Sequence, residues 1–206
     1  MKYLAASSLV LLALSSASAA KPTFTRTWKA PGAENLGYAG KKVVGLVVSD
    51  DMPLRMSAEE ALARELTAKG VQGLAAYRVI PREEIRDATR VRGWFERAGA
   101  AGVVMMRLID LSKETMPSVM VWQSGTYYGS LWSYYPYAWG ATFDITPART
   151  DVKVVVETLV FDVAGSKLLW AGTSESENPE DAQTLVKSLV NAAADQMKKD
   201  GLMRRK

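Results

Sequence analysis

The sequence predicts a mixed α/β domain with the order βαβαβ, then a β-hairpin, then a last helix, giving five or six strands and three helices. Short continuous apolar runs at Val43–Val48 and Val103–Leu111 are typical of strands covered on both faces. Segments with apolar residues at spacings of three and four alternate with these runs, as in amphipathic helices. A chain of 206 residues that is 48% hydrophobic and 23% charged fits one globular domain.

Each further element has its own local signal. The first strand ends at Asp50, and a helix then runs to about Lys69, where Gly70 ends it. Either Asp51 followed by Pro53, or Ser57 with Glu60, fits the start of this helix. A weaker strand follows at Val71–Val79, then a helix at Pro81–Ala98 and a strand at Val103–Leu111. The hairpin strands are Asp151–Val163 and Lys167–Glu175, and the last helix is Asn178–Lys199.

Two turns of this arrangement give testable expectations. Asn178 with Pro179 predicts the cap and first position of the last helix. Because the hairpin chain must reverse at Ala164–Ser166, we expect Gly165 to adopt a positive φ.

The absence of His and Cys excludes whole classes of chemistry. A chain without these residues has no thiol nucleophile, no Ser-His dyad, no zinc site with imidazole or thiolate ligands and no iron–sulfur cluster. With 26 Lys and Arg against 22 Asp and Glu, the net charge of +4 is too small to indicate a basic surface for binding nucleic acid. We therefore expect no cofactor and no nucleic-acid partner.

The first 19 residues predict an export signal. Lys2 supplies the charge, Leu4–Leu14 the apolar stretch, and Ala17–Ala19 the small residues before cleavage after residue 19 or 20. The apolar stretch is too short to cross a bilayer, and without Cys there is nothing to acylate. We therefore expect a periplasmic chain with no lipid anchor and no transmembrane segment. Residues 20–42 then read as an extended arm, 43–202 as the domain, and 203–206 as a basic tail.

Six short stretches of the chain carry a resemblance to known proteins. They are Trp28–Pro31, Lys42–Ser49, Arg64–Val71, Gly99–Val104, Phe161–Trp170 and Lys199–Leu202. Together they resemble a family of small bacterial envelope proteins of unassigned function, many of which are lipoproteins. The element order is similar to the periplasmic domain of the curli secretion lipoprotein and to the N-terminal domain of the Tol system's propeller protein. The resemblance implies a mixed α/β envelope domain and brings no catalytic residues.

Carboxylates offer the remaining candidates for chemistry. Asp50 and Asp51 follow a parallel strand, where a divalent cation can bind, but capping of the next helix is the plainer interpretation. A glycosidase pair would have to come from Asp110, Glu114, Glu157 and Asp162, and a salt bridge on a strand face explains Glu157 more simply. We therefore predict that the protein is not an enzyme.

One aromatic-rich segment, within a predicted loop at residues 112–150, has neither the helical nor the strand period that a regular element would show. Nine of the 18 aromatic residues lie between positions 122 and 143, with no charged residue between Gln123 and Ala141. Structureless loops this long are uncommon, so the segment is either functional or a second small core. The candidate binding residues are Trp122, Tyr127, Tyr128, Trp132, Tyr134, Tyr135, Tyr137 and Trp139.

We expect these rings to lie at least partly exposed on a contact surface, because Tyr and Trp dominate interfaces and sugar platforms. The function predicted from the sequence is binding to another envelope protein. The alternative is a module that stacks peptidoglycan or exopolysaccharide on the same rings. The sequence leaves the oligomeric state open.

Overall fold

A six-stranded mixed sheet organises the chain in the computed structural model, which describes residues 21–34, 37–109, 117–123, 127–141, 153–177, 179 and 181–202. The strand order across the sheet is β1-β6-β5-β4-β2-β3. The strands are β1 (Thr23–Lys29), β2 (Lys42–Val48), β3 (Gln72–Ala75), β4 (Gly102–Ile109), β5 (Lys153–Asp162) and β6 (Leu168–Glu177). The helices are α1 (Met52–Ala68), α2 (Ala76–Val79), α3 (Ala88–Ala98), α4 (Val119–Gln123), α5 (Leu131–Gly140) and α6 (Ala182–Lys199).

Helices cover both faces of this sheet. Strand β2 is parallel to β3 and β4, whereas β4, β5, β6 and β1 pair antiparallel in turn. The first crossover leads from β2 to β3 through α1, and the second leads from β3 back past β2 to β4 through α3. Because the two crossovers run in opposite directions across the sheet, α1 and α3 lie on opposite faces. Helix α6 packs beside α1, and α5 packs on the face of α3. The predicted α/β class is confirmed, with six helices among the described residues instead of three.

The predicted extended arm is in part a strand of the sheet. Residues 23–29 form β1, which pairs with β6 and makes one edge of the sheet. The register shifts between Phe24 and Arg26, so the chain lacks the regular alternation that identifies a strand in a sequence. Trp28 of β1 packs against the core.

The second strand and second helix are shorter than predicted. Strand β3 ends at Ala75, and its apolar continuation becomes the short helix α2. Pro81 begins a 3-10 turn at Arg82–Glu84, and a new helix starts after Asp87. The Asp87 carboxylate accepts from the backbone N–H groups of Thr89 and Arg90, which fixes this second start.

The turns also differ from the sequence in detail. Gly165 does not have a positive φ; the left-handed residue is Ser166, at φ 52°. The Gly165 N–H donates to Asp162 Oδ2 at 2.5 Å, and a Cβ at Gly165 would stand 3.0 Å from that oxygen, so close approach explains the glycine. The predicted start of the last helix, with Asn178 as the cap and Pro179 in the first position, is wrong. Helix α6 begins at Ala182 and Asp181 caps it, while Pro179 lies before the helix and Asn178 is outside the described residues.

The predicted loop contains helices. Val119–Gln123 forms α4, Tyr127–Gly129 forms a 3-10 turn, and Leu131–Gly140 forms α5. We call these three elements together the aromatic segment. Phe143, Asp110, Glu114, the predicted export signal and the predicted basic tail lie outside the described residues.

Candidate functional site

Helix α5 carries most of the rings of the aromatic segment. Ser130 caps it by accepting from the backbone N–H of Ser133 at 3.1 Å. Its buried residues recur at helical spacing and face the sheet: Leu131, Tyr134, Tyr135, Ala138 and Trp139. Pro136 removes one internal hydrogen bond but stands on the exposed side, so the helix continues past it.

Most of the candidate binding residues are buried, so the expectation that the rings are exposed is wrong for five of them. Those five are between 0% and 5% exposed: Trp122, Tyr128, Tyr134, Tyr135 and Trp139. Trp132 and Tyr137 are half-buried, and Tyr127 is exposed. The rings pack on one another and on Phe161 of β5, so the buried part of the segment belongs to the hydrophobic core on this face of the sheet. Only the outer rings are accessible to a partner.

A buried carboxylate fastens this core to the sheet. Glu157 of β5 is 0% exposed, and its Oε2 accepts from the Tyr134 hydroxyl at 2.6 Å and from Arg107 Nη2 at 3.2 Å. Its Oε1 accepts from the Tyr128 hydroxyl at 2.6 Å and from Trp122 Nε1 at 3.3 Å. All three helical parts of the aromatic segment therefore converge on one side chain. We call these five residues the Glu157 cluster.

The positions of Arg107 and Glu157 follow from strand pairing. The two residues lie directly opposite each other in the antiparallel β4–β5 pair. Arg107 also donates from Nε to the Tyr134 hydroxyl at 3.2 Å, and its guanidinium lies over the Tyr137 ring at 5.2 Å. The predicted salt bridge on a strand face is therefore confirmed for Glu157, with Arg107 as its partner.

The Glu157 cluster is built for structure and not for proton transfer. Burial, and next the charge of Glu157, raise the pKa of the Tyr128 and Tyr134 phenols. Both phenols therefore keep the protons that they donate. Because Glu157 and Arg107 are at most 1% exposed, no substrate reaches the carboxylate.

The aromatic segment also fills the position where open α/β sheets bind ligands. That position lies at the carboxyl ends of the strands where the crossovers diverge, here at the end of β2. The Trp139 ring lies there between the guanidinium groups of Arg55 and Arg86, at 5.8 and 5.6 Å. Arg86 in turn pairs with Asp50, directly after β2. The crevice is closed by the protein's own side chains.

The other carboxylate candidates have structural roles. Asp51 caps α1 by accepting from the backbone N–H of Leu54 at 3.0 Å, so capping explains Asp51 as expected. Asp162 accepts from the Tyr38 hydroxyl at 3.3 Å and from Gly165. Glu157 and Asp162 stand five positions apart on one strand and therefore point to opposite faces. The structure does not bring them together as a catalytic pair.

An apolar patch forms the accessible surface of the aromatic segment. Met120 is 77% exposed, and Val119 and Tyr127 are each 36% exposed. Helix α4 packs against the 3-10 turn of Tyr127 and against edge strand β1. Tyr127 stacks on Tyr137, with ring centroids 3.9 Å apart. We call Val119, Met120 and Tyr127 the α4 patch; reasoning from the sequence missed Val119 and Met120 because it followed only the rings.

No helix among the described residues has the length and apolar content needed to cross a membrane. No family model and no curated protein matches the chain.

Comparison with solved structures gives several similar chains at low sequence identity. A PelC dodecamer variant from Paraburkholderia phytofirmans has a TM-score of 0.49 at 14% identity, covering 90% of this chain and 99% of that one. A second PelC dodecamer from the same organism has a TM-score of 0.44 at 14% identity, with 89% and 99% covered. A lipoprotein from Neisseria meningitidis has a TM-score of 0.40 at 14% identity, with 78% and 99% covered.

Proposed function

We propose that this protein is an exported, non-catalytic binding protein of the cell envelope that holds another protein at the α4 patch. The single observation that carries the proposal is the exposure of Met120, 77%, beside Val119 and Tyr127. Aliphatic and aromatic side chains that remain exposed together mark contact surfaces in soluble proteins. The export signal at residues 1–19 supports an envelope location, in the periplasm and without a lipid anchor.

A protein suits this surface better than a glycan. Sugar rings need flat aromatic faces, but five of the eight candidate rings are buried and the most exposed side chain of the patch is the aliphatic Met120. Strand β1, against which α4 packs, is an edge strand of the sheet formed by the described residues, and an edge strand is a place where a further strand can pair. Backbone pairing at β1 with apolar contacts at α4 is a surface that a polypeptide can use.

The Glu157 cluster supports the patch from below. Trp122 of α4 and Tyr128 of the turn donate to the same oxygen of Glu157, so the elements that carry Met120 and Tyr127 have a fixed relative position. A surface fixed in advance loses little conformational entropy on binding. In this proposal the buried rings orient the patch, and the patch makes the contact.

Photocrosslinking in living cells tests the proposal. A photoreactive phenylalanine at position 120 is expected to give a protein adduct of discrete mass, whereas the same group at Lys187, exposed on α6, gives none. The adduct should disappear when Tyr127 is also replaced by Ser. An adduct of twice the chain's own mass identifies a second copy as the partner.

Sedimentation with purified peptidoglycan and with exopolysaccharide tests the alternative. If Tyr127 stacks on sugars, the protein sediments with one of these glycans and the Tyr127→Ala variant does not. That result, or the absence of a position-specific adduct at Met120, would overturn the proposal of a protein partner.

A further inference from the structure

A large apolar cavity lies on the face of the sheet opposite the aromatic segment. It is a partly open pocket, lined by α1, α6 and the middle strands, with a volume of about 400 Å³. Protein interiors leave few voids larger than a water molecule, and an apolar cavity of about 150 Å³ already binds benzene. The volume falls in the range of sites for small ligands.

Two of the four α6 side chains along the cavity are small, which leaves part of the gap between helix and sheet unfilled. Ala193 and Ala194 line it from the helix and are both buried. They face the sheet side chains Val104 and Val160, which also line the space. A larger residue at either alanine would close part of the gap between helix and sheet.

The cavity has one accessible end. Its exposed and half-buried lining residues include Tyr38 just before β2, Lys69 just after α1, and Met197 near the end of α6. These lie together because α1 and α6 run in the same direction, with Gln183 near the start of α6 donating to Ser57 near the start of α1. The opposite end is closed by Met106 and Thr158, which face each other in the β4–β5 pair.

The mouth carries positive charge. Lys69 forms no ion pair with any other described residue. Lys41 lies close by, with its ammonium 5.9 Å from the centre of the Tyr38 ring. The Asp162 carboxylate also lies at this end, where it accepts from the Tyr38 hydroxyl, so it offsets one of the two lysine charges and the three groups together leave one net positive charge. An apolar interior with a cationic mouth is complementary to an amphiphile with an anionic head.

We propose that this cavity binds one long-chain fatty acid, with the acyl chain along the sheet and the carboxylate at Lys69. The inner end receives the terminal methyl group, beside Met106 and Thr158. The Thr158 hydroxyl has no hydrogen-bond partner among the described residues, so the chain displaces no internal hydrogen bond there. The proposal is independent of the α4 patch, which lies on the other face.

Displacement of a fluorescent fatty acid from the purified, delipidated protein tests this proposal. The probe is 11-(dansylamino)undecanoic acid, and the competitors are hexadecanoate and the neutral hexadecanol. We expect saturable binding at one site per chain, with hexadecanoate displacing the probe about fivefold better than hexadecanol at low salt, as one partly exposed ion pair allows. No saturable binding, or equal displacement by the two competitors, would overturn it.

Variants then locate the site. Ala194→Phe fills the cavity and should abolish probe binding while the melting temperature is kept or raised, whereas Ala192→Phe, outside the lining, should leave binding unchanged. Unchanged binding by a folded Ala194→Phe variant would refute the site. Should Ala194→Phe fail to fold, the variants at Lys69 and Thr158 decide.

Lys69→Glu should weaken hexadecanoate about fivefold or more and leave hexadecanol unchanged. Lys187→Glu on the exposed side of α6 serves as the matched control for charge. Thr158→Val has nearly the same shape without the hydroxyl and should bind the probe equally or more tightly. Loss of affinity in Thr158→Val, or an unchanged hexadecanoate affinity in Lys69→Glu, would contradict the proposed orientation.

Discussion

Replacement of Glu157 by Gln tests whether the buried carboxylate holds the aromatic segment on the sheet. Glu157 accepts four hydrogen bonds, two at each oxygen. A glutamine keeps one oxygen and places an NH₂ group where the second oxygen was. Two of the four donor groups would then face another donor instead of an acceptor. The change also removes the carboxylate charge that pairs with Arg107, which is 1% exposed.

The magnitude follows from what remains buried. Removing one partner of a buried ion pair costs about 3 to 5 kcal/mol, because the other charge stays out of water. A typical domain has only about 5 to 15 kcal/mol of unfolding free energy. We therefore expect Glu157→Gln to lose a large share of the stability and to loosen the rings around it.

Urea unfolding measured by circular dichroism gives the change in unfolding free energy. The matched control is Glu175→Gln, because Glu175 pairs with Lys153 at 2.6 Å where that lysine is 50% exposed. We expect the control to lose at most about 1 kcal/mol. If the two variants lose the same small amount, the Glu157 cluster does not anchor the segment, and the reasoning from burial is wrong.

Three further predictions test other parts of the fold. Glu59 of α1 is 0% exposed and accepts from the backbone N–H groups of Val47 and Tyr77, and burial raises its pKa from 4.5 to about 7. Because the pKa of Glu59 is higher in the folded state than in the unfolded state, protonated Glu59 stabilises the fold at low pH. The unfolding free energy should therefore fall by up to about 3 kcal/mol between pH 4.5 and 7, and it should change less with pH in the Glu59→Gln variant. A Cβ at Gly73 would stand 2.1 Å from the backbone oxygen of Ala63, so Gly73→Ala should cost about 1 to 3 kcal/mol in urea unfolding, whereas Gly129→Ala, with open space around it, should cost far less. The last prediction concerns joint replacement by Ser of Tyr134, Tyr135, Tyr137 and Trp139. Three of these rings are at most 5% exposed, so this variant should unfold, and a cooperative melt near that of the parent would show that the rings are not a core.

The sequence predicts the elements that have a clean period. Strands β2 and β4, the β5–β6 hairpin and helix α6 appear where apolar runs or helical spacing indicated them. Helix α5 was missed, although Leu131, Tyr134, Tyr135 and Ala138 follow helical spacing after the cap at Ser130. The helical spacing is hard to see in the sequence because Pro136 interrupts it and because aromatic residues also occupy the outer side of the helix.

The Glu157 cluster could not be found from the sequence because it depends on register. Arg107 and Glu157 stand 50 positions apart and become neighbours only when β4 and β5 pair in one alignment. A shift of one residue would turn Glu157 to the other face. The tyrosines of the Glu157 cluster come from helical elements that are themselves held in position by their hydrogen bonds to Glu157. Sequence reasoning therefore found the aromatic residues and the Glu157 carboxylate separately, without the contact that joins them.

The two faces of the sheet are completed in opposite ways. On the face of α5, the rings fill the space down to Glu157, so contact with a partner is confined to the outer edge at Met120 and Tyr127. On the face of α6, Ala193 and Ala194 leave about 400 Å³ unfilled. One larger side chain there would fill space and stabilise the fold. Filling this space in the Ala194→Phe variant therefore separates its effect on stability from its effect on fatty-acid binding.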